Sequence, residues 1–315
     1  IKIEHNLDFL PLYYTEIGSY QKDVYEFIIK NKKAAKDELF STSTKNKKLF
    51  ENLDSFGYEL LQKPIECLNI CFPNHQINFK KLPKDVIEQN SLINTLVGKS
   101  GLSNVMKYKT TTKEKIKYDF EYINPNEHIF HLDNLYKYSA KMFNICNIIK
   151  NSNGIILIYS QFIDGGALPM ALALEEMGFT RYCSDSNVKS LLKNPPEPID
   201  ALTMMSKTNI NHDFNQAKYI IVSGDKSYSP NNDADIKYLN DSSNTNGEKV
   251  KVVIISMAGS EGIDYKNESN DITKNIIIKN KNPSIKQLYD ELKKEGFIFY
   301  NNVDNKLPWK SSIPV

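Results

Sequence analysis

Between Lys249 and Asn267 the chain reads KVKVVIISMAGSEGIDYKN. Ser256, Ser260 and Asp264 bring hydroxyls and a carboxylate into one short stretch, with Gly259 and Gly262 between them. Glycines let the backbone approach a phosphate or ribose closely, and free N–H groups can then cradle an anion. Two other polar clusters follow apolar runs in the same way: Tyr159-Ser160-Gln161 and Ser223-Gly224-Asp225. The chemistry this suggests is contact with phosphate. Acid–base catalysis on a small molecule through Asp225 and Asp264 is the weaker reading, because no His or Cys stands beside either in a recognised spacing. The plainest alternative is a strand that ends in a glycine turn and binds nothing.

The elements that must position these clusters are legible from the apolar pattern. Val250 to Ile255, Ile155 to Tyr159 and Tyr219 to Val222 have β-branched residues on both faces, as buried strands of a parallel sheet do. In open α/β sheets ligands bind at the carboxyl ends of such strands, where all three clusters fall. Leu135, Tyr138, Met142, Ile145, Ile148 and Ile149 follow helical spacing, which predicts one helix over 132–150. Gly165-Gly166 opens a second helix, with Ala167, Met170, Ala171, Leu174 and Met177 on one side, and Gly178 ends it. A Ser-, Asn- and Pro-rich loop covers about 184–216, and Asp235 to Leu239 reads as a short helix. The alternation of strand and helix predicts an α/β fold with right-handed crossovers.

The N-terminal part is less patterned. Gly18-Ser19 caps a helix with Tyr20, Val24, Phe27 and Ile28 on one face. Pro64 to Pro73 reads as a short strand or turn, and 108–128 as a loop or hairpin. Gly98-Lys99-Ser100 has the ending of a phosphate-binding loop. The glycine such a loop needs five residues earlier is Ile93, and the preceding apolar strand is missing, so the segment reads as a turn between helices.

Composition narrows the function class without deciding it. The chain has 315 residues, enough for two domains, with 40% hydrophobic and 25% charged residues, as in ordinary globular proteins. A net charge of +2 gives no global basic field, and Arg181 is the single arginine. Cys67, Cys71, Cys146 and Cys183 do not form a zinc pattern and read as free, mostly buried thiols. His128 and His131, three apart, read as surface or packing residues. No apolar run is long enough to span a bilayer. The chain starts at Ile1 and not Met, which points to part of something longer.

Taken together, Tyr138-Ser139-Ala140-Lys141, IILIYSQF, YIIVSGD and VVIISMAGSEGID occur in an order that resembles the second RecA-like lobe of a superfamily 2 helicase. The phrase YSQFIDGGALPMALALEEMGFTRY is similar to the helicases of large cytoplasmic DNA viruses, related to the poxvirus early transcription factor small subunit and nucleoside triphosphatase I. The resemblance covers about 132–267. It implies a RecA-like parallel sheet flanked by helices, a mostly helical N-terminal segment joining helicase lobes over 1–131, the lobe itself over 132–275, and a C-terminal helix and tail over 276–315. Tyr159, Ser160 and Gln161 would stand in motif IV. Ser256 and the Gly259-Ser260 backbone would touch a phosphate of a bound nucleic-acid strand, while Gly262 and Asp264 would face the nucleotide.

The same resemblance implies ATP and Mg²⁺ in the full-length enzyme and none on this chain alone. It implies the first lobe or other transcription subunits as partners, no membrane, and a place in the host cytoplasm or virion. Two departures stand out. The chain has neither a phosphate loop nor the paired arginines of the last helicase motif, where it reads Asn275-Ile276-Ile277-Ile278-Lys279 and then a helix from Ile285 to Lys294. Lysine does not replace a bidentate arginine. Either that motif is degenerate or residues are missing around 267–275, and ATP hydrolysis by this chain alone is not expected. The reading that competes is a docking subunit that keeps the fold without the chemistry.

Overall fold

The structure is a computed structural model that describes residues 15–42, 53–108, 119–185 and 190–256, with the backbone alone at 33–42 and 53–60. All of these lie in one compact unit, Thr15–Ile263. Its centre is a four-stranded, wholly parallel sheet of β3 (Ile156–Ser160), β4 (Thr180–Arg181), β5 (Lys218–Val222) and β6 (Val252–Ser256). Their order across the sheet is β3-β6-β5-β4. Parallel neighbours need crossover connections, and helices of this unit supply them: α7 (Leu168–Glu176) leads from β3 to β4, and α8 (Asn232–Leu239) from β5 to β6. This is an α/β fold with a RecA-like parallel sheet flanked by helices.

One face of the sheet carries the main core. Tyr219, Ile221, Val252 and Ile254 pack there with Ile156 and Ile158, against Met142, Cys146 and Ile149 of α6 (Ala140–Lys150) and Leu168, Ala171, Leu172 and Leu174 of α7. The alternate residues Ile220, Val222, Val253 and Ile255 are buried as well, which explains why β5 and β6 read as continuous apolar runs. β3 departs from the expected buried strand. Among the described residues it is an edge strand, and Leu157 and Tyr159 are 55% and 57% exposed. An apolar run reports burial but not place in the sheet, and here the side chains facing outward at the edge stay open to solvent.

The N-terminal part is mostly helical: α1 (Ser19–Thr42), α2 (Leu53–Asn69), α3 (Val86–Asn94) and α4 (Gly98–Val105). Val24, Phe27 and Ile28 of α1 close a small core with Cys67, Cys71, Ile93 and Leu96, as the helical spacing predicts. A short antiparallel pair, β1 (Met106–Lys107) and β2 (Glu121–Tyr122), follows.

Three expectations need correction. Pro64 lies inside α2, so the stretch from Pro64 is helical to Asn69 and irregular beyond it. Tertiary packing of Cys67 and Glu66 into buried positions outweighs the missing N–H of the proline. Gly98-Lys99-Ser100 is not a turn between helices but the opening of α4. The helix predicted over 132–150 is two helices, α5 (Leu132–Tyr138) and α6, broken at Ser139. Ser139 takes an extended φ of −153°, accepts a hydrogen bond from the Met142 N–H and donates to the Asn69 carbonyl. A buried serine offers the backbone this alternative to the helix, and apolar spacing does not register it.

Gly178 ends α7 at φ +95°, where the Phe179 N–H reaches back to the Leu174 carbonyl at 3.0 Å. A side chain at that position would also run into the Glu197 carbonyl.

Candidate nucleic-acid interface at the carboxyl edge of the sheet

The register of the sheet brings the predicted clusters together. Ser160 pairs with Ser256 across β3 and β6, and Val222 pairs with Ile255 across β5 and β6. Ser223 therefore follows at the level of Ser256. Tyr159-Ser160-Gln161, Ser223-Gly224-Asp225 and Ser256 share one edge. Gly259, Ser260, Gly262 and Asp264 lie outside the described residues.

The individual side chains are placed unequally. Tyr159 is the open one, with its ring standing out at the end of β3. Ser160 is used inside the turn: its hydroxyl donates to the Phe162 carbonyl at 2.8 Å. That bond tightens the exit from β3 into a single π-type turn, Ile163–Ala167, from which α7 starts. Gly166 passes so close that a Cβ there would collide with Ser160 Oγ. The glycine of this turn is thus required by close approach. Gln161 is half-buried, and Ser256 is 4% exposed. The Ser256 hydroxyl expected to face a ligand lies under the surface of the edge.

The cluster after β5 is folded on itself. The Ser223 hydroxyl donates to the Asp225 carbonyl at 3.1 Å, and Asn232 Nδ2 to the Ser223 carbonyl at 2.8 Å. Asp225 Oδ1 accepts from the Ser227 N–H at 2.9 Å and its hydroxyl at 2.5 Å. These bonds close a small polar loop that leads into α8. They are the pattern of an Asx-turn, not of a poised general base.

The sequence pattern did not single out Asp164, on the turn after β3. Burial foremost pushes its carboxyl above the ordinary value; Lys99 pulls it down, and the Glu66 and Asp225 carboxylates push it further up. Glu66 reaches in from α2, packed against Gly98 and Gly165 and bonded by Gln62 and Lys63. The N-terminal helices therefore contribute charge to this edge. The only advance signal was Gly98-Lys99-Ser100: it is no phosphate loop, yet its lysine lies beside the edge. Electrostatically the edge is mixed, with carboxylates that repel a phosphate and Lys99 that attracts one. Among the described residues no group of His, Cys, Asp or Glu is arranged to hold a metal ion.

Arg181 is not available to a ligand here. It is 9% exposed and gives its Nη2 to the Tyr228 carbonyl. Close by, Glu175 is wholly buried and accepts from the Leu191 and Leu192 N–H groups and the Tyr219 hydroxyl, each at 2.7 Å. Burial pushes the Glu175 carboxyl up, and its three hydrogen bonds oppose that. Glu175 ties the 191–192 segment to Tyr219 of the sheet and is structural. His128 and His131 are surface residues, as expected: His128 stands against Glu176, and His131 caps α5. Cys67, Cys71 and Cys146 are buried free thiols, and burial pushes Cys146 up to about 12. Among the described residues no helix is long and apolar enough to cross a membrane. Compared with models of known protein families and with curated proteins, the chain matches none.

Proposed function

We propose that this chain is the strand-facing second lobe of an ATP-dependent superfamily 2 helicase or translocase that works in viral transcription, in the host cytoplasm or virion. Its partners would be nucleic acid, held through phosphates, and a first lobe or other transcription subunits. ATP and Mg²⁺ would be bound only with that first lobe. The observation that carries the reading is the register of Ser160 opposite Ser256. It puts the carboxyl ends of β3 and β6 side by side, at the edge where α/β sheets bind ligands. Tyr159 adds an exposed aromatic surface at the same strand end, suited to stacking an unpaired base.

The reading is tested by fluorescence anisotropy with a labelled single strand at two salt concentrations. Sequence-tolerant binding in the non-specific range, with Kd of roughly 10⁻⁴ to 10⁻⁶ M and weakening as salt rises, is expected. Tyr159→Ala removes an exposed ring and should cost about 1–3 kcal/mol of that binding, with folding intact. Ser256 is a poorer probe because it is buried. Absence of salt-dependent binding by the wild-type chain would favour the docking-subunit reading, to which the exposed apolar Leu157 on the edge strand also lends support.

A further inference from the structure

Glu127 and His128 are consecutive residues in the segment between β2 and α5, and each holds a different neighbour. Glu127 Oε2 lies 2.8 Å from His75 Nε2, in the segment after α2, and Glu127 Oε1 accepts from the Tyr138 hydroxyl of α5 at 3.0 Å. His128 Nδ1 lies 3.1 Å from Glu176 Oε1, at the end of α7, and the same oxygen accepts from the Tyr122 hydroxyl of β2 at 2.6 Å. The His128 ring also leans on the Tyr122 ring, with centroids 4.4 Å apart. Two adjacent side chains thus fasten one segment to the connection after α2 and to α5 on one side, and to α7 on the other.

The second nitrogen of His128 decides the chemistry. Nε2 lies 3.1 Å from the Pro125 carbonyl oxygen. One ring nitrogen faces a carboxylate and the other a carbonyl, and neither of those groups can donate. A neutral imidazole carries a hydrogen on one nitrogen only and leaves the other lone pair pointing at an acceptor. Both contacts are hydrogen bonds only when both nitrogens are protonated.

We propose that Glu127-His128 is a proton-dependent clasp that fastens the 123–131 segment when His128 carries both hydrogens and Glu127 is ionised. The acid side follows from Glu127. Burial pushes its carboxyl up, but the bonds from His75 and Tyr138, with Lys137 nearby, hold it below the ordinary value. A carboxyl lowered in the folded state stabilises above its unfolded value and ceases to do so as pH falls through the folded value. On the alkaline side, loss of one His128 proton costs one of its two bonds. The clasp is therefore complete only with an ionised Glu127 and both His128 nitrogens protonated.

The readout is amide hydrogen exchange within the segment. The Glu127 N–H bonds the Asn124 carbonyl at 3.0 Å, the His131 N–H the His128 carbonyl at 3.2 Å, and the Ile123 N–H the Val105 carbonyl at 2.9 Å. In the full chain, protection of these three amides, corrected for intrinsic exchange, should fall at least about threefold from about pH 6 to about pH 8. In His128→Phe, which keeps a ring against Tyr122, the fall should vanish, while His75→Gln should leave it in place. Nitrogen-15 shifts of His128 in the wild-type chain give a second test that needs no variant: both ring nitrogens should read as protonated at the lower pH. Equal protection at both pH values, an equal fall in His128→Phe, or a singly protonated His128 ring at about pH 6 would each overturn the clasp.

Discussion

Ser160 and Gly166 show how a residue type at the edge of the sheet serves the turn before it serves any ligand. The serine hydroxyl closes on the Phe162 carbonyl, and the glycine leaves room for it. Gly166→Ala puts a methyl group into Ser160 Oγ and should destabilise the chain by about 1–3 kcal/mol, the usual cost of overpacking a filled site. Adding Ser160→Gly removes the obstructing hydroxyl and should restore part of that loss, because residues in contact do not behave additively. Urea denaturation of both variants against wild type checks this; a neutral Gly166→Ala would show that the turn gives way freely. The residue types were legible in the sequence here, and their use was not. Ser160 and Ser256 both stand at strand ends, but whether a hydroxyl looks outward depends on a hydrogen-bond partner or a covering residue elsewhere in the chain.

At the scale of elements, the break at Ser139 separates α5 from α6 and fastens α6 to the end of α2. Its side chain caps the Met142 N–H and reaches the Asn69 carbonyl, and it is fully buried. Ser139→Ala should therefore cost about 1–2 kcal/mol, the upper part of the range for a lost N-cap, measured by the urea midpoint. A change within a few tenths of a kcal/mol would mean that the cap is dispensable. The strands β5 and β6 were readable to within two residues because they are central and apolar on both faces. β3 was equally readable as a strand, but its position was not. Ile-Leu-Ile-Tyr looks the same at an edge as in the middle, since the pattern holds no information about which strand lies beside it. Helical periodicity over 132–150 was right in kind and missed the serine between the two helices.

For the molecule as a whole, the N-terminal helices and the sheet belong to one unit, Thr15–Ile263. Glu66 of α2 and Lys99 of α4 stand close to Asp164 after β3, Tyr20 donates to the Phe72 carbonyl at 3.0 Å, and Gln21 donates to the Cys67 carbonyl at 2.8 Å. With such ties running from α1 to the sheet, the unit should lose its tertiary and secondary structure together. Near-ultraviolet and far-ultraviolet circular dichroism in urea should trace one coincident transition for this part of the chain. Two well-separated midpoints would show that the helices and the sheet are independent. None of these long-range ties was visible in the sequence, where the N-terminal part showed helical patches without a partner.

The strand order also sets a timetable. Ile156 of β3 pairs with Val252 of β6, about 96 residues later in the chain, and β6 is the only described strand beside it. During synthesis at roughly 5–20 residues per second, β3 leaves the ribosome about 5–20 s before its neighbour exists. For that interval Ile-Leu-Ile-Tyr is an apolar strand with both edges bare, the kind of segment that pairs with other nascent chains and that holding chaperones shield. Protection of β3 while 160–250 are being made is then expected to raise the yield of folded chain.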